Sequence, residues 1–214
     1  MVNMNKEEFI TELKQLDIEL SEEKLNKLEK FYNLLVEWNQ KINLTRIIEK
    51  EDVYLKHFYD SLTITKVVNL KEIETLCDVG TGAGFPGIVL KIVYPNLKIT
   101  LIDSLLKRVN YLNEIIKELD LKDIKAIHTR AEEHKEKYDI ITARAVANIE
   151  KLLKYTMHLV NKNGKLIAMK GNIEEELNLD VQKNINRKYK IEQIEKFTLP
   201  KENSARSLVV IKNK

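Results

Sequence analysis

The sharpest chemical signal in the chain is DVGTGAGFPG, from Asp78 to Gly87. Asp78, Gly80, Gly82 and Gly84 alternate there, and Asp103 closes the next apolar run, LKITLID. Glycines let a backbone turn tightly and come close to a ligand. A helix opening just beyond them would offer free amides. A carboxylate ending a second strand is placed to meet ribose hydroxyls. A bare structural turn would account for the glycines, but not for a strand, a helix and a second-strand acid arranged around them.

Two ligands compete for such a loop. Gly82-x-Gly84-x-x-Gly87 also satisfies the dinucleotide fingerprint, with Asp103 at a suitable distance. A nicotinamide or flavin site would bring a pyrophosphate against the loop, where Asp78 would oppose it. S-adenosylmethionine has no phosphate and carries an ammonium and a sulfonium, so Asp78 favours it, directly or through water. Titration with the two ligands separates these readings.

The elements that must hold this loop follow from hydrophobic periodicity. Leu25, Leu28, Tyr32, Leu35 and Trp38 recur at three- and four-residue steps, one apolar face of a helix with Ser21 as its N-cap. A weaker helix is expected over 6–16 and a third over 51–68. From ETLCDVG onward the pattern alternates. Strands are expected at LKITLID, IKAIH, YDIITAR and KLIAM, the last after a turn at Asn163-Gly164. Helices are expected over 105–119, 149–159 and 173–186, and Pro86 suits a first helical turn. Strands separated by helices imply a parallel sheet covered on both faces. The last two strands, about 189–198 and 207–212, have no helix between them and should form an antiparallel hairpin at one edge. In such sheets ligands sit at the carboxyl ends of the strands where strand order reverses.

Composition narrows the class. The chain has 214 residues, 43% of them hydrophobic, and a formal net charge of +3, short of the positive field of a nonspecific nucleic-acid binder. Cys77 is the one cysteine, so no internal disulfide can form, and a reducing cytoplasm is the expected setting. No run of about eighteen apolar residues suggests a membrane span, no signal-like core opens the chain, and the histidines share no metal-like spacing. The chain reads as one domain over 1–214, with a helical N-terminal extension at 1–72 and an alternating core at 73–214. A monomer is expected.

The segments LLVEWNQKINLTRI, HFYDSL, DVGTGAGFPGIVLKIVYP, TLIDSLLKRVNYLNEI, RAEE, TARAVA, MKG and ARSLVVIK, in that order, closely resemble the bacterial 16S ribosomal RNA guanine-N7 methyltransferase family, formerly called glucose-inhibited division protein B. That resemblance implies a class I S-adenosylmethionine-dependent methyltransferase fold. This is a Rossmann-like α/β architecture, with a mostly parallel seven-stranded sheet, an antiparallel C-terminal hairpin and an N-terminal helical extension. It implies donor contacts at Gly80, Phe85, Ala131, Glu132 and Arg144. The loop argument adds Asp78, Gly82 and Asp103. The family often has serine where Thr81 stands and histidine where Ser207 stands. The implied partner is 16S ribosomal RNA, within the small ribosomal subunit or an assembly intermediate.

Guanine N7 presents a lone pair on the major-groove edge of the base. It needs no proton removed before attack, so no general base is expected and no metal is called for. Arg144 would orient the acceptor through guanine O6 or a phosphate. Lys170, Arg206 and Arg46 are candidate RNA contacts, with Lys56 and His57 weaker ones. Trp38 and Tyr32 read as packing residues, and Cys77 as buried and inert.

Overall fold

The computed structural model describes residues 4–214. Three helical segments come first. α1 (Lys6–Lys14) is closed by a capping box, in which Asn5 accepts from the Glu8 amide and Glu8 accepts from the Asn5 amide. α2 (Glu22–Ile42) starts at Ser21, whose side chain accepts from the Lys24 amide, and ends at Asn43 in the left-handed conformation. Leu25, Leu28, Phe31 and Leu35 form its buried stripe. Tyr32 and Trp38, expected on that stripe, lie half-buried at its margins. Trp38 meets Tyr111 edge-on at 5.8 Å, and Phe31 stacks on Phe58 at 5.8 Å.

The third segment matches the helix expected over 51–68 but is not a regular one. It begins as α3 (Lys50–Val53), widens into a π-helical turn at Tyr54–Tyr59 and tightens through α4 (Asp60–Leu62) into a 3₁₀ turn at Thr63–Lys66. Such π-turns recur at functional sites because they re-aim side chains. This one carries His57, and Asp60 follows it directly.

The sheet has the order β3-β2-β1-β4-β5-β7-β6. Its strands are β1 (Thr75–Val79), β2 (Lys98–Asp103), β3 (Ile124–His128), β4 (Tyr138–Arg144), β5 (Val160–Lys170), β6 (Tyr189–Thr198) and β7 (Ala205–Asn213). β1 to β5 are parallel, and β7 runs antiparallel to both of its neighbours. Strand order reverses between β1 and β4, so the crevice at their carboxyl ends is the switch point.

Four helices link the strands: α5 (Gly87–Val93), α6 (Leu106–Glu118), α7 (Ile149–Thr156) and α8 (Leu179–Lys188). Side chains alternate between two cores. Leu76, Ile140 and Ile167 face the core shared with the N-terminal segments, α5 and α6, whereas Cys77, Ile141 and Leu166 face the core shared with α7 and α8. Burying Leu28, Phe31 or Leu35 completely contributes about 1.5–3 kcal/mol each. The N-terminal segments therefore complete the first core. By the same alternation Asp78, Thr142 and Arg144 lie on the face of Leu76 and Ile140. Among the described residues no helix is long and apolar enough to cross a membrane.

Two expectations need correction. Asn163-Gly164 does not turn before the fifth strand but lies within it, where the register to β4 shifts. A Cβ at Gly164 would lie 2.7 Å from the Asp139 carbonyl and 2.8 Å from that of Tyr138, so only glycine lets the strands approach there. The polar helix starts at Leu179 rather than near Ile173, because Asn178 caps the amides of Asp180 and Val181.

Gly87 opens α5 directly beneath β1. A Cβ on it would fall 2.2 Å from Leu101 Cδ2 and 2.9 Å from Asp78 Oδ2. Gly87→Ala should therefore cost about 1–3 kcal/mol of stability, read as a lower urea midpoint. An unchanged midpoint would show that the helix seats without this close approach.

Candidate active site

Two carboxylates hold the glycine loop. Asp78 is fully buried, and its Oδ2 accepts from the Thr81 hydroxyl at 2.6 Å and the Gly87 amide at 2.9 Å. Its Oδ1 has no partner among the described residues. Burial pushes its pKa from 3.8 up to about 6, against the lowering pull of those two hydrogen bonds and of Arg144. Asp103 holds the other side. Its Oδ2 accepts from the Gly82 amide at 3.0 Å, its Oδ1 from the Leu105 amide at 2.9 Å, and Arg108 stands 3.4 Å away. Gly80 sits between them at φ +66°, where a Cβ would lie 2.7 Å from Val146 Cγ2.

Two cavities meet at Gly80. The smaller, about 220 Å³, is lined by Asp103, Ala131, Glu132 and Val146 among others. The larger, about 480 Å³, is lined by Phe85, His57, Asp60, Arg144 and Arg206 among others. Ala131 and Glu132 reach the smaller cavity on a 3₁₀ turn after β3. The smaller cavity offers carboxylates and suits a nucleoside. The larger is lined by Arg144 and Arg206, with Asp60 between them, and its guanidinium donors suit an acceptor edge. The bare ridge at Gly80, with carboxylates beside it, fits a cationic cofactor laid across both.

Arg144 is held rigidly at the larger cavity. Its Nη1 donates to the Lys56 carbonyl and to Asp60 Oδ2, both at 3.0 Å. Its Nη2 lies 3.1 Å from His57 Nδ1. A guanidinium has only donors, so Nδ1 must accept, and Nε2 carries the proton, 3.1 Å from Thr45 Oγ1. Burial first, and Arg144 second, hold the His57 pKa down from 6.5 to about 3, so the ring is neutral. Phe85 packs against both groups. The His57 ring stacks on it at 4.3 Å, and the Arg144 guanidinium carbon lies 5.2 Å from its centroid.

The expected residues divide accordingly. Gly80, Gly82, Phe85, Asp103, Ala131, Glu132 and Arg144 all line one cavity or the other. Asp78 lines neither, and its carboxylate braces the loop from below. Lys170 borders the larger cavity but is mostly buried. Its three donors go to the Ala147 carbonyl and to Glu176, at 2.8 and 3.1 Å. Glu176 also accepts from the Ile149 amide, so the pair clasps the loop that carries Val146. Lys56 is paired to Asp52 and Glu202. Arg206 reaches the cavity from β7, and Arg46 is exposed, next in sequence to the lining residues Thr45 and Ile47 but not itself lining the cavity. Cys77 is fully buried, which raises its thiol pKa and leaves it inert. Asp60 was missed in the sequence: nothing in HFYDSL marks its aspartate as the partner of two distant arginines.

Strand order, the antiparallel seventh strand and a glycine ridge at the switch point define the class I methyltransferase fold. A crystal structure of a SAM dependent methyltransferase from Aquifex aeolicus shares it, with a TM-score of 0.57 and 20% identity, covering 76% of this chain and 93% of that one. The GidB family model, described as rRNA small subunit methyltransferase G, matches residues 24–209. The Ribosomal RNA small subunit methyltransferase G of Bacillus subtilis (strain 168) is 44% identical over 98% of this chain and 90% of its own length. That of Listeria monocytogenes serotype 4b is 42% identical over 97% and 90%. The chain belongs to the rRNA small subunit methyltransferase G family.

The two shifted groups act on stability with opposite sign. His57 stays neutral in the fold, so protonation of the unfolded chain costs stability as pH falls below 6.5 toward 3. The folded state binds a proton at Asp78 more readily than the unfolded chain, so stability is regained as pH falls from about 6 to 3.8. Asp78→Asn should therefore lose stability to acid more steeply than the wild type, and His57→Gln less steeply. Parallel profiles of denaturation midpoint against pH for all three would contradict both assignments.

Proposed function

We propose that the chain transfers a methyl group from S-adenosylmethionine to N7 of a guanine in 16S ribosomal RNA, within the small subunit or an assembly intermediate. The cofactor, when bound, supplies an electrophilic methyl group. Asp103 and Glu132 would hold its nucleoside end, and Gly80, Gly82, Phe85 and Ala131 would shape its bed. Arg144 would stand at the junction of cofactor and acceptor. The observation that carries the acceptor reading is the pair of arginines, Arg144 and Arg206, that line the larger cavity beside Gly80 with the Asp60 carboxylate held between them. Guanine presents two acceptors, O6 and N7, on its major-groove edge, whereas adenine presents a donor amino group beside N7. Donors placed at O6 admit guanine and leave N7 free.

No proton has to leave N7. His57, held neutral with Nδ1 already accepting from Arg144, fits an orienting role better than that of a base. Rate enhancement would come from alignment, which supplies up to about 7–11 kcal/mol in well-oriented reactions. Arg206 and Arg46 would meet RNA directly, and Lys170 would support the site through its clasp on the Val146 loop. We read residues 1–214 as one methyltransferase unit, acting as a monomer in the cytoplasm.

The test is labelled methyl transfer to small subunits from cells lacking this activity, followed by nuclease digestion. All label should appear in 7-methylguanosine. Arg144→Ala should lower turnover about 10²-fold with the circular dichroism spectrum unchanged. Label in another nucleoside, or full activity without Arg144, would refute the assignment.

A further inference from the structure

Asp60 stands where two strands that do not pair bring their arginines together. Its Oδ2 accepts from Arg144 Nη1 at 3.0 Å and its Oδ1 from Arg206 Nε at 2.9 Å. The carboxylate is 6% exposed and lines the larger cavity. Arg144 ends β4 and Arg206 begins β7, with β5 between them. Two guanidinium groups facing one small cavity repel each other, and a nearly buried carboxylate without partners would be costly. The triad resolves both problems.

The two arginines do not depend on Asp60 equally. Arg144 is also fixed by the Lys56 carbonyl and His57 Nδ1, and it lies over Phe85. Among the described residues, Arg206 otherwise bonds only the carbonyl of its neighbour Ala205, at 3.0 Å. Its reach into the cavity is set by the single bond from Nε to Oδ1. We propose that Asp60 is a positioning residue for the acceptor: it aims the Arg206 guanidinium at the rRNA, so that Arg206 acts beside Arg144 as the second cation of the acceptor site. This rests on the acceptor reading given above. Asparagine at position 60 keeps one acceptor but turns an amide donor toward the other guanidinium. The less anchored Arg206 would be the one released.

The experiment compares wild type, Asp60→Asn, Arg206→Ala and the double variant, by methyl transfer to unmodified small subunits and by S-adenosylmethionine titration. Asp60→Asn should raise KM for subunits about tenfold with a smaller change in kcat, and leave cofactor Kd within about twofold. Adding Arg206→Ala to it should change little further, because the two act as one unit. Should Asp60→Asn not fold, Arg206→Lys decides. It keeps the charge but loses Nε, and it should be as defective as Arg206→Ala. Normal KM in Asp60→Asn, additive defects, equal losses of cofactor and subunit binding, or full activity in Arg206→Lys would each overturn the proposal. Wild-type protein that labels no subunit would sink the acceptor reading and this inference with it.

Discussion

A buried carboxylate pins the loop on which the site is built. Asp78 has one oxygen tied to the Thr81 hydroxyl and the first amide of α5, and the other buried without a partner among the described residues. Such a group is expensive to bury, and its raised pKa records that cost. Its effect is to fix where β1 stops and α5 starts. Gly87 must then lie against Leu101, and Gly80 must cross the top of the sheet without a side chain. Asp103 takes up the loop from the other side through the Gly82 amide. Between these two acids the backbone becomes a ridge separating two cavities.

The charges on the two sides of that ridge differ. Carboxylates gather at the smaller cavity, at Asp103 and Glu132. At the larger, Arg144 and Arg206 outnumber Asp60, and His57 is held neutral. A cationic cofactor and an acceptor edge made of lone pairs are complementary to these two fields. The N-terminal segments are part of this arrangement as well as of the core. Their π-helical turn delivers His57 against Phe85 and Asp60 against Arg144, so one stretch of HFYDSL fixes the orientation of an arginine more than eighty residues away.

Local pattern made much of this legible. Alternating apolar strands, the Ser21 cap and the step from DVG to a helix predicted the elements and their order. The positions of Gly80, Gly82 and Asp103 at the cavities were readable because they follow or end strands that the apolar pattern marks. What pattern could not supply was long-range pairing. Lys170 in MKG reads as a candidate RNA contact, yet Glu176 and the Ala147 carbonyl take all of its donors. Asp60 carries no local signal in HFYDSL, yet it pairs with residues 84 and 146 positions away. The π-turn was also hidden, since periodicity registers an apolar face and not the width of a single turn. Asn163-Gly164 misled for a related reason. The dipeptide favours turns, but here Gly164 serves the close approach of a neighbouring strand.

A crystal structure with S-adenosylhomocysteine would test the ridge most directly. Adenosine should occupy the cavity of Asp103 and Glu132, the sulfur should lie over Gly80, and the amino-acid end should extend toward Phe85 and Arg144. Adenosine bound elsewhere, or the ridge covered by Val146 with the ligand outside both cavities, would contradict the arrangement.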